Sequence, residues 1–176
     1  DSGIISKIAP HGFTKENLKE ALTRLNNLIS LNNLQKKEQG EAVQATAVFN
    51  DLQTEADEHY SDYMKVARIL FEENEIARKA LALDGSRKKA FAERSAQAIQ
   101  FYQNALAIEG ILGAFTSRGI TKAMLESGMT AMQKAINYRS SAEKERAEAI
   151  RATEDRDKKM RELESTMKEL KVFAKI

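Results

Sequence analysis

Residues 119–125 read GITKAML, and residues 12–18 read GFTKENL. In each stretch a threonine, Thr121 or Thr14, can accept a backbone N–H through its hydroxyl and so act as a helix N-cap. An apolar residue just before the cap (Ile120, Phe13) and another four positions beyond it (Leu125, Leu18) form a hydrophobic staple that fixes how the chain enters the helix. Neither copy completes a capping box, because Met124 and Asn17 stand where Glu or Gln would reach back to the cap. Two helix starts of the same design, with no proline anywhere between them, predict long helical elements.

Sliding the first copy onto the second requires an offset of 107, and further matches follow: Thr23 meets Thr130, Ile29 meets Ile136, and EAVQAT (41–46) meets EAIRAT (148–153). Two readings fit, a helix that begins the same way twice and an internal repeat.

Composition agrees with helices. Of 176 residues, 31% are charged and only Pro10 is proline, a mixture of strong helix formers without breakers. The sequence predicts an all-α fold, an elongated antiparallel bundle of three or four helices with long coiled-coil elements. Lys plus Arg number 28 against 26 Asp plus Glu, a formal charge of +2 that argues against a dedicated nucleic-acid binder. The absence of cysteine removes disulfides, zinc–thiolate sites and thiol catalysis. No apolar run approaches the ~20 residues needed to span a bilayer, so the chain reads as soluble. It starts at Asp1, which predicts a processed or excised N-terminus.

Working outward, residues 1–12 hold two glycines and the proline and read as an irregular arm, with residues 13–176 as one bundle. The first helix is predicted over about 15–39, with Leu18, Leu22, Leu25 and Ile29 stepping along one amphipathic face. LNNLISLNNL (25–34) and then Gly40 predict a bend or break between residues 32 and 41. A second helix over 41–83 ends at DGS (84–86), where Gly85 suits a left-handed cap and Ser86 the next N-cap. That short turn predicts a third helix, 88–112, running back antiparallel. The fourth, 121–174, crosses a stretch with thirteen charged residues in twenty-one (139–159), spaced for i, i+4 pairing on an exposed surface. Its far end carries Met160, Leu163, Met167 and Leu170 at three-four spacing, a coiled-coil stripe reaching Phe173 and Ala174. Its partner is either Leu18–Ile29 of the same chain or another copy.

Chemistry is sparse. Glu55, His59 and Asp62 share one helix face, yet the Glu-x-x-His pairs of dinuclear metal bundles are missing, so this row reads as a polar surface. No nucleophile elbow, phosphate loop or dinucleotide fingerprint occurs. The sequence therefore predicts no catalytic residue, no cofactor, no metal and no small-molecule substrate. It predicts a non-enzymatic scaffold, adaptor or exported interaction module that binds a protein partner or itself, as a homo-oligomer. The interface residues are Met160, Leu163, Met167, Leu170 and Phe173. The alternative is a membrane-associating helical protein, curvature-sensing or toxin-like. It would use Arg87, Lys88 and Lys89 at a basic hairpin tip (85–89) to meet lipid headgroups, together with the apolar segment ALAIEGILGAF (105–115).

Overall fold

The structure, a computed structural model, describes residues 2–85, 88–173 and 175, with the side chains of Ser2, Ile4 and Phe173 outside the description. Every regular element among the described residues is helical, and the fold is all-α. Six α-helices occur in chain order: α1 (Ser2–Ile8), α2 (Lys15–Leu70), α3 (Glu75–Ala80), α4 (Phe91–Ala107), α5 (Glu109–Thr116) and α6 (Lys122–Phe173), with a 3-10 turn over Ala9–His11.

The repeated stretch is a joint that stops one helix and starts the next. Gly12 and Gly119 both take positive φ, 87° and 82°. At the first joint the Gly12 N–H donates to Ala9 O and the Phe13 N–H to Ile8 O; at the second, the Gly119 N–H donates to Thr116 O and the Ile120 N–H to Phe115 O. This paired closure is the Schellman pattern, which satisfies the last carbonyls of a helix and needs a left-handed residue. The threonine then opens the following helix. Thr14 Oγ1 accepts the Asn17 N–H and Thr121 Oγ1 the Met124 N–H, each at 3.3 Å. Ile8 and Phe115, the residues that precede each joint, are both buried.

Several element boundaries differ from the sequence expectations. The described part of the expected irregular arm is ordered, since α1 and the 3-10 turn occupy residues 2–11; Pro10 stands at the start of that turn, where its missing N–H costs nothing. No break falls between residues 32 and 41. Gly40 lies inside α2, and its penalty of about 1 kcal/mol is small beside the bonding of a 56-residue helix. The helix predicted over 41–83 ends instead at Leu70. Asn74 accepts the Ala77 N–H at 3.0 Å and caps the short α3, and residues 81–85 and 88–90 are without regular structure, with Ala82 at φ 50° and Gly85 at φ 83°. The helix predicted over 88–112 is divided into α4 and α5, with Ile108 extended between them. Ser86, expected as a cap, and Ala174 lie outside the described residues.

Where one bundle was expected, the chain divides into two compact units: residues 1–44 with 143–176, and residues 45–142. The second unit holds the main core. Phe49 meets Phe91, Tyr60 meets Phe101 and Phe71 meets Phe115, so α4 and α5 advance in the same direction as α2. This reverses the antiparallel expectation. The reason is that residues 71–85 and 88–90 form a return path: the Asn104 side chain donates to Ala80 O and Gln97 to Ala82 O, so the chain backs along α4 before α4 begins. The first part of α6 runs against both helices, with Arg139 over the Phe91 ring and the Tyr63 hydroxyl directed at Met124 O. At the start of α4, Arg94 holds Asp57 through two bonds of 2.9 Å, a largely buried forked pair that fixes the register of α4 on α2.

Candidate functional site: an apolar flank on a helix pair

In the first unit, residues 15–44 of α2 and 143–173 of α6 lie antiparallel. The Arg156 guanidinium donates to the buried Gln35 side chain at 3.2 Å, and Asn27, Ser30 and Leu31 share a groove with Glu162 and Leu163. Residues seven apart recur on the inward side: Ala21, Leu28, Gln35 and Ala42 on α2, and Ala149, Arg156, Leu163 and Leu170 on α6, all buried or half-buried. These are the a positions of a heptad, and Leu31, Glu38, Glu145, Ala152 and Thr166 fall at d. The seam is thus made largely of alanine and polar side chains. It removes little apolar surface from water, and the hydrophobic gain scales with that area.

The large apolar side chains stand elsewhere. Among the described residues of this unit nine are exposed, and seven of them, Leu22, Leu25, Ile29, Val43, Ile150, Met160 and Met167, occupy heptad positions b or e. In an antiparallel pair the e positions of the two helices border the same side of the seam, with b just beyond. The seven therefore lie on one flank. Leu22 is 57% exposed, Ile29 51% and Val43 71%. The opposite flank is mainly polar, with Asn27, Ser30, Glu162 and Ser165 along its groove and Leu34 and Val172 as its exposed large apolar side chains among the described residues. There the Lys159 ammonium, hydrogen-bonded to Glu162, keeps that exposed carboxyl below its ordinary range.

The stripe predicted as an interface is split by this register. Leu163 and Leu170 are in the seam, half-buried against α2 of the same chain, and Leu170 shares a pocket with Leu18 and Ala21. Met160 and Met167 are one step further round and exposed, and the Phe173 side chain lies outside the description. The Leu18–Ile29 face legible in the sequence is mostly the outer flank and not the seam. Val43 and Ile150 complete that flank. Reading the heptads through alanine rather than leucine would have found them.

No family model, curated protein or solved structure matches the chain.

The remaining candidates are placed differently. In segment 105–115, Ala105, Ile111 and Phe115 are buried in the core of the second unit, and Ile108 is its one exposed large apolar side chain. Lys88 and Lys89 are exposed just ahead of α4, in the return path and not at a hairpin tip; Arg87 lies outside the described residues. In the row Glu55, His59 and Asp62, the His59 ring stacks on Tyr63 and Asp62 pairs with Lys65 at 2.8 Å. The carboxylates of Glu38, Glu145 and Glu148 gather within 4.8 Å of one another on the first unit, with Lys37 beside Glu38 and Lys144 beside Glu148. No helix among the described residues is long and apolar enough to cross a membrane.

Proposed function

We propose that the chain is a non-enzymatic helical scaffold or adaptor that works through protein–protein contacts, and that the b/e flank of the first unit is its contact surface. One observation carries the reading: seven large apolar side chains share one side of a helix pair whose own seam is built from alanine and polar groups. An apolar stripe of that length costs free energy in water until something covers it. The carboxylates support a non-enzymatic role, since many are engaged by a cation one turn away, as in Glu20–Arg24, Lys37–Glu41 and Glu75–Lys79. The membrane alternative is weakened because Ile111 and Phe115, its apolar anchors, are spent on the core.

The test compares two double variants of the full chain, Leu25→Glu/Ile29→Glu on the apolar flank and Asn27→Glu/Ser30→Glu on the polar one. All four positions are exposed, so both variants keep the helical circular dichroism of the parent. Chemical cross-linking in concentrated extract is expected to show complexes lost only in the first. Equal complexes in both variants would sink the reading, and flotation of the parent with anionic vesicles would transfer the flank to a lipid role.

A further inference from the structure

We infer that the flank is covered by a second copy of this chain, in a two-fold arrangement that converts the helix pair of each first unit into half of a four-helix assembly. This rests on the contact surface proposed above and names its occupant. Size is the first argument. From Leu18 to Val43 the flank extends about 38 Å at ~1.5 Å per residue, and two helices abreast span about 20 Å. The product, roughly 750 Å², is close to the ~800 Å² per partner that a stable interface buries.

Charge placement is the second argument, and it selects the axis. The Gln35–Arg156 bond sets the levels: Leu22 falls level with Met167, Ile29 with Met160 and Lys36 with Asp157, each within about two residues, or ~3 Å. A two-fold axis along the helices keeps every level and lays α2 of one copy on α6 of the other. Leu22 and Ile29 then meet the methionines of the second copy, and Lys36 meets its aspartate. Lys15 is left at the open end, in solvent, while Glu164 and Lys171, level with residues 27 and 20, stand at the b edge of the interface, where their charged ends reach water. A two-fold axis across the helices, through the middle of the Leu18–Val43 flank, would instead stack α2 on α2, with Lys36 opposite Leu25, and α6 on α6, with Asp157 opposite Glu164, a like-charge contact at a desolvated rim. The axis along the helices is the arrangement the flank fits.

Light scattering on a size-exclusion column tests the pairing with the whole chain. The parent is expected at twice 19.7 kDa, and Leu25→Glu/Ile29→Glu at the single-chain mass with unchanged helicity. The chain has no cysteine, so Ile29→Cys and Met160→Cys chains can be mixed and oxidised; the expected product joins one chain of each kind. A parent that stays at single-chain mass at every concentration overturns the inference, as does a flank variant that remains a dimer. Disulfides joining Ile29→Cys chains to each other in preference to the mixed product overturn the axis. A monomeric parent whose extract complexes still vanish in the flank variant would leave the proposed function standing and remove the self-pairing alone.

Discussion

A methyl group on Gly128 would meet the ring of Tyr102, with its Cβ 2.5 Å from the phenolic oxygen and 2.7 Å from Cζ. Gly128 is therefore the space in α6 that lets Tyr102 lie flat against the helix. Gly128→Ala should cost about 1–3 kcal/mol, the usual penalty for overfilling a packed core, measured by urea unfolding. The Tyr102 hydroxyl is buried without a hydrogen-bond partner. Tyr102→Phe removes a desolvated polar atom and should be at least as stable as the parent. Burial, with Tyr63 and Tyr60 beside it, holds the Tyr102 phenol above its ordinary value of 10, and burial does the same to Tyr63. A pKa raised by folding means that the fold favours the protonated form, so its contribution is intact below about pH 10 and is lost as pH rises beyond that. Melting temperatures followed into alkali should fall above pH 10, and less steeply in Tyr102→Phe. A profile as steep as the parent's would assign the loss to other groups. At this scale the sequence shows the threonine caps because capping is local chemistry. It does not show Tyr102 on Gly128, because 26 positions and the whole of α5 separate them.

Glycine has opposite signs in different elements. Gly40 sits within α2 with open space where a Cβ would go, so Gly40→Ala should stabilise the chain by about 0.5–1 kcal/mol. Gly119 holds φ 82° at the joint before α6, and Gly119→Ala should cost about 1–2 kcal/mol despite equally open surroundings. Urea midpoints of the two variants check both signs; a loss from Gly40→Ala would mean that α2 needs flexibility there. The contrast explains which elements were legible. Helix starts were found because they carry side-chain signatures. The supposed break near residue 40 failed because one glycine and a few asparagines cannot offset hydrogen bonding on both sides. The return path between α2 and α4 was hidden for another reason: DGS resembles a turn between helices, while the Asn104 and Gln97 bonds that reroute the backbone come from residues later in the chain.

Burial is unequal across the whole molecule. The unit of residues 45–142 encloses Tyr60, Phe101, Tyr102, Phe115, Leu81, Leu125 and Met132 completely, whereas the described buried residues of the other unit are Ile8, Gln35, Ala149 and Ala152. A sequence full of three-four spacing reads as one bundle, because periodicity reports which faces are apolar and not how much each face buries. The energetic consequence is two unfolding steps. Backbone amides of residues 17–39 and 150–170 should exchange with solvent well before those of 56–67 and 98–106. If a second copy covers the flank, the first thermal transition must also depend on concentration, since association stabilises only the folded pair. A tenfold dilution removes about 1.4 kcal/mol per dimer, or ~0.7 per chain, which for a unit this small lowers its midpoint by about 3–6 °C. The second transition should stay fixed. In Leu25→Glu/Ile29→Glu the first transition should lie lower and lose its dependence on concentration, because the variant has no second copy to lose. Calorimetry of parent and variant at two concentrations measures all four midpoints. A single cooperative transition would show that the thin seam is as stable as the core, and the account of the flank as the missing half of a core would be wrong.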